Sequence, residues 1–154
     1  MPRTDARPMK CTGEASAPLM LPRGASTVVV GDERDLAVLA VLRGLNGSWE
    51  PHVRRFLEHT VQADWVCLDI GANIGAHTLA MASMATEGMI VAFEASSENF
   101  GYLSRNVANL PAPKAQVKLV KRALWNEPGR LNIRRCRRTS GLLFRHTLGR
   151  CRTK

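Results

Sequence analysis

The residues best equipped for chemistry fall in one stretch, LDIGANIGAHT from Leu68 to Thr78, and in one acid, Glu94, 23 positions beyond Gly71. Asp69 precedes Gly71 at the end of an apolar run, so the pattern sets a carboxylate at the carboxyl end of a strand, where open α/β sheets bind ligands. Glycine at 71 lets the chain turn sharply and lets a ligand approach the backbone. Gly75 permits close contact between strand and following helix, and free amides at that helix start favour an anionic or electron-rich group. Glu94 ends the next apolar run, and an acid there can accept hydrogen bonds from both hydroxyls of a ribose. Two acids at adjacent strand ends flanking a glycine loop describe a nucleoside-containing cofactor. A dinucleotide fingerprint reads G-x-G-x-x-G. Here Asn73 stands where the second glycine belongs, placing a side chain where a pyrophosphate needs bare backbone. That disfavours NAD and favours a ligand with a ribose and no phosphates.

Other reactive residues carry less. His77 falls on the first turn of the helix after the loop and reads as a hydrogen-bonded structural histidine; no catalytic residue is assigned. Met81, Met84 and Met89 read as core filler. Cys11, Cys67, Cys136 and Cys151 have no close pairing, so no disulfide framework is expected. A zinc site would have to recruit Cys136, His146 and Cys151 without a C-x-x-C half-site, so no metal is expected.

The elements around the loop follow from periodicity. Residues 1–26 hold four of the eight prolines among small and polar residues and read as a disordered arm. Residues 27–48 read as a leading strand pair, Thr27–Val30 and Leu36–Leu42, although the second run also fits a helical piece. Ser48 before Trp49-Glu50-Pro51 is a helix start, with Val53, Phe56, Leu57 and Val61 at helical spacing. Trp65–Ile70 is near-continuously apolar, the mark of a strand buried on both faces. An Ala/Met-rich helix over 76–85 follows, then a strand over Met89–Phe93. A helix capped by Ser96 or Ser97 lines up Phe100, Leu103, Val107 and Leu110, and a strand over Gln116–Leu124 comes next. Strand–helix alternation implies parallel strands joined by right-handed crossovers, the first half of a doubly wound α/β sheet.

With these residues in place, the chain resembles the FkbM-type S-adenosylmethionine-dependent methyltransferases. The resemblance is carried by Asp69-Ile-Gly-Ala-Asn-Ile-Gly75, Phe93-Glu94, Glu98-Asn99-Phe100, and Leu103 with Asn106. Trp49-Glu50-Pro51 is similar to that family's lead-in helix, and Ala123-Leu124-Trp125-Asn126 with Gly129 to its turn after the third strand. Ala95 departs from the proline usual after the ribose-binding acid. The resemblance covers 49–133 and implies a Rossmann-like, class I methyltransferase sheet, of which this is the N-terminal half. It further implies S-adenosylmethionine as cofactor. Asp69, Gly71, Asn73 and Gly75 would hold its methionine end, with Ala72 also in the cofactor site, Glu94 its ribose, and Ala95 and Ser96 would border the adenine. The implied reaction is methyl transfer to a small-molecule or sugar hydroxyl.

Charge divides the chain. The 154 residues carry a net charge of +9, but nine of the 22 Lys and Arg fall in 130–154, which holds no acid. The remaining 13 balance the 13 acids of the body. Residues 134–154 therefore read as an irregular basic tail outside the fold, and the chain as a C-terminally truncated methyltransferase, its activity open. Truncation leaves the Trp65–Ile70 strand with an unpaired edge, which predicts self-association. Nine cations could instead support salt-dependent, sequence-blind nucleic-acid binding, although Phe144 is the tail's one aromatic and no stacking platform for specific recognition follows. No run of 18 apolar residues and no signal-peptide-like stretch is present, so neither a membrane span nor export is expected, and a cytoplasmic protein is. An NAD-linked oxidoreductase is the remaining alternative.

Overall fold

The computed structural model describes residues 13–127 except 36, residue 129, and the backbone of 132–135 and 142–145. Residues 1–12, the cysteines at 11, 136 and 151, His146 and most of the basic segment lie outside the described residues, and the expectations for them with it.

Three β-strands make the central sheet: β3 (Val66–Ile70), β4 (Met89–Phe93) and β5 (Gln116–Val120), in the order β3-β4-β5. Both pairings are parallel, with Asp69 beside Ala92 and Ala92 beside Leu119. Helix α3 (Ala76–Ala82) joins β3 to β4, and α4 (Ser97–Asn109) joins β4 to β5. The alternation foreseen from the sequence is thus present, as a mixed α/β arrangement with a parallel sheet. Cys67, Ile90 and Ala92 point to the helix side, where α3 contributes Leu79 and Ala82 and α4 contributes Leu103 to the buried core. Ser96 caps α4 as expected, its hydroxyl accepting from the Asn99 backbone at 3.3 Å.

The N-terminal region corrects the disordered arm drawn over 1–26. Residues 14–20 form β1 (Glu14–Met20), antiparallel to β2 (Ser26–Asp32), with a short 3-10 turn at Pro22–Gly24 between them. Ala17, Leu19 and Leu21 are buried, so alternating small apolar residues supply the period-two face of a strand. Pro18 is tolerated because β1 has no neighbour on its other side in this two-stranded sheet. The pair is therefore β1–β2, and the apolar run placed in a second strand is α1 (Val38–Gly44), which buries Val38, Leu39 and Leu42.

Helix α2 (Pro51–Thr60) begins at proline as expected, but its preceding residue is Glu50 in the left-handed region, φ 37° and ψ 66°. None of its residues is fully buried, and Phe56 is 63% exposed. The face on Val53, Phe56 and Leu57 is only half used. Strand β3 also differs from expectation. Val66, Leu68 and Ile70 are exposed, because both crossover helices lie on the other side of the sheet. Finally, 132–135 and 142–145 form an antiparallel pair, β6 (Asn132–Arg135) and β7 (Leu142–Arg145), where an irregular tail was expected. The β-branched and large apolar residues at 133 and 142–144 have strand propensity that outweighs the flanking arginines. No helix among the described residues is long and apolar enough to cross a membrane.

Candidate functional site

The loop after β3 continues the sheet before it turns. The backbone N–H groups of Gly71 and Ala72 both donate to the Phe93 carbonyl at 2.9 Å, so the crossing point lies against the end of β4. Gly71 adopts φ 84°, Asn73 φ 52° and Gly75 φ 103°. Three left-handed residues within five positions fold the chain back into α3, and two of them are glycine, Gly71 for the sharp turn that the sequence suggests. Gly75 has a second reason: a Cβ there would lie 2.8 Å from Leu103 Cδ1.

Asp69 is placed as expected, at the carboxyl end of β3, where its carboxylate accepts from the Thr78 hydroxyl on α3. Glu94 stands one strand over and is 3% exposed. Its Oε2 accepts from the Asn73 backbone N–H at 2.8 Å and its Oε1 from the Ser96 backbone N–H at 2.7 Å. The acid read as a ligand for ribose is thus also the brace between the glycine loop and the start of α4.

A cavity of about 200 Å3 opens beside the loop. Asp69, Gly71, Ala72 and Asn73 line it, so four of the residues singled out by sequence converge there; Gly75, Glu94, Ala95 and Ser96 do not. Sequence reasoning did not put Trp49, Glu50 and His77 into the same wall, where the structure brings them. The signal was present in Trp-Glu-Pro immediately before a helix, but nothing in its periodicity says that this helix start faces the loop. His77 is hydrogen-bonded, as foreseen: its Nε2 lies 2.8 Å from Glu50 Oε2. The Glu50 backbone is in a left-handed conformation unfavourable for a residue before proline.

The lining has a definite electrostatic character. It contains two acids, Glu50 and Asp69, an aromatic ring and no Lys or Arg. Asn73 Oδ1 is buried without a hydrogen-bond partner, an acceptor that costs free energy until a donor reaches it. These groups suit a cation carrying N–H donors and oppose a phosphate.

Deeper in the fold, Asn106 of α4 is buried and joins three segments. Its Nδ2 donates to the Ile74 carbonyl at 2.8 Å and to the Val30 carbonyl at 3.0 Å, and its Oδ1 accepts from the Val30 N–H at 2.8 Å. Burial pushes the Cys67 thiol above its usual range. The Tyr102 phenol is pushed up by burial first, then by the Asp32, Glu98 and Glu14 carboxylates, against the opposing Arg105 guanidinium. No group of three His, Cys, Asp or Glu among the described residues could hold a metal.

No protein-family profile matches this chain, and no curated protein does.

Proposed function

We propose that this chain binds S-adenosylmethionine at the carboxyl ends of β3 and β4, and that its site is that of an FkbM-type methyltransferase acting on a small-molecule or sugar hydroxyl. The observation carrying this reading is the pairing of Asp69 and Glu94 at adjacent parallel strand ends on either side of the Gly71–Gly75 loop. The cavity adds to it. A sulfonium ligand with an α-ammonium group is cationic at the end that would enter, and Asp69, Glu50 and the orphaned Asn73 Oδ1 offer acceptors there. A pyrophosphate would meet two carboxylates and no positive side chain, which disfavours an NAD-linked reaction.

On this reading Asp69, Gly71, Ala72, Asn73 and Gly75 form the methionine end of the site. Each Glu94 oxygen keeps a lone pair beyond its backbone bond, and those are the acceptors for ribose hydroxyls. Reaching them requires a local rearrangement, because the carboxylate is 3% exposed and held by the Asn73 and Ser96 amides. The bound cofactor supplies an electrophilic methyl group. The protein's part is to align the acceptor hydroxyl in line with it and to exclude water.

Isothermal titration with S-adenosylhomocysteine tests the reading. Saturable binding is expected, weakened at least tenfold by Asp69→Asn and by Glu94→Ala in samples whose circular dichroism is unchanged. Absence of heat at millimolar ligand, or competition by NAD at equal affinity, overturns it.

A further inference from the structure

The wall of the cavity beside the glycine loop contains one imidazole, the side-chain type that changes charge around neutral pH. His77 is half-buried there, in a lining that also holds Glu50 and Asp69. Its Nε2 lies 2.8 Å from Glu50 Oε2, and its Nδ1 has no hydrogen-bond partner among the described residues. A carboxylate on Nε2 keeps the proton of the neutral ring on that nitrogen, so the ring gains and loses its second proton at Nδ1. Glu50 meets His77 from a left-handed backbone in front of Pro51, a conformation that persists only where the surrounding structure over-determines it. Helix α3 also packs against β3, β4 and α4. None of the charged or titratable groups within α2 lines the cavity, nor do Cys67 on β3, Glu94 after β4, or Glu98, Tyr102 and Arg105 on α4. The charges that face His77 across the cavity are therefore those of Glu50 and Asp69.

We propose that His77 sets how strongly the site prefers a positively charged sulfonium ligand over the neutral thioether that remains after methyl transfer. The inference rests on the cofactor reading above. With the imidazole neutral, the wall presents two carboxylates and attracts the sulfonium. With the imidazole protonated, the ring offsets one carboxylate and repels a second cation. Binding of the sulfonium ligand therefore expels the Nδ1 proton to solvent, and the thioether, which lacks that charge, expels it to a lesser extent. The two ligands differ only by a methyl group and its positive charge. The ratio of their affinities consequently isolates the effect of His77 from everything the site does with the adenosine and amino-acid ends.

Isothermal titration of the full chain with S-adenosylmethionine and with S-adenosylhomocysteine, between about pH 5.5 and 7.5, spans the range in which imidazole changes charge. As pH rises, the affinity ratio should shift towards S-adenosylmethionine by roughly threefold or more, the scale of one partly exposed charge pair. His77→Gln keeps a donor for Glu50 and removes the titration, so its ratio should stay flat. Should that variant not fold, the unaltered chain in two buffers of different ionisation enthalpy reads the proton directly. In the middle of the pH range, S-adenosylmethionine should then release more protons than S-adenosylhomocysteine. A ratio independent of pH, an equal rise in His77→Gln, or equal proton release by the two ligands overturns the role of His77 and leaves the cofactor reading standing. Absence of binding by either ligand overturns both.

Discussion

The backbone N–H of Asn73 donates to Glu94 Oε2 at 2.8 Å, tying the loop after β3 to the acid after β4. The other Glu94 oxygen holds Ser96, the cap of α4. One buried carboxylate thus fixes both turns that border the candidate site.

Replacing Glu94 should therefore cost stability as well as ligand affinity. Hydrogen bonds to charged groups contribute about 1.5–3 kcal/mol each, and Glu94→Ala leaves two amides without their acceptor, so a loss of about 3 kcal/mol is expected. Urea unfolding measures it. A loss under about 1 kcal/mol would mean that water replaces the carboxylate at no penalty.

Asn106 gives a second prediction on the same measurement. Asn106→Ala strands the Val30 N–H and C=O and the Ile74 C=O, at about 1–3 kcal/mol for each group left unsatisfied. Asn106→Asp keeps the acceptor for Val30 N–H but loses both donors, so it should recover only a minor part of the difference.

The two loop glycines separate backbone strain from crowding. Gly71→Ala pays for its positive φ alone, about 1–2 kcal/mol, since no atom lies within 4 Å of the new Cβ. Gly75→Ala adds the contact with Leu103 and should be the more destabilising. In a Leu103→Ala background the gap between the two glycine substitutions should close, which a double-mutant cycle reads directly.

Stability should fall in alkali. Cys67 and Tyr102 both have their proton affinity raised by folding. The folded state therefore binds more protons than the unfolded one between the ordinary and raised values, and the slope of stability with pH is negative there. Their contribution is complete below the ordinary values of 9.0 and 10.0 and is lost as pH rises through the raised ones. Urea midpoints taken from neutral pH upward check this, and Cys67→Ala with Tyr102→Phe should flatten the curve.

The strand–loop–helix core was legible because its signals are local. Asp69, Gly71 and Gly75 declare a turn off a strand, and Ser96 and Ser97 before a helical pattern declare a cap. Strand β1 was hidden because Ala15 and Ala17 carry little hydrophobic signal and Pro18 reads as a breaker, until a partner strand shows that nothing needs its missing N–H. The open face of β3 was hidden for a different reason. Val-Cys-Leu-Asp-Ile is apolar on both sides, and composition cannot say how many sides are covered. The wall formed by Trp49, Glu50 and His77 depends on how α2 meets α3, a long-range fact with no sequence period. Glu94 was found as an acid at a strand end, but its bracing role lies in two backbone amides that a sequence does not display.

Asn106 also decides what opens together. Its three bonds run from the N-terminal hairpin through α4 to the carbonyl of Ile74, so the Val30 amide exchanges with solvent only when that clamp releases. Opening at Val30 is therefore expected to couple across the layers to the Ile74 end of the glycine loop. Deuterium uptake at Val30 is consequently a remote gauge of whether the glycine loop is held or free.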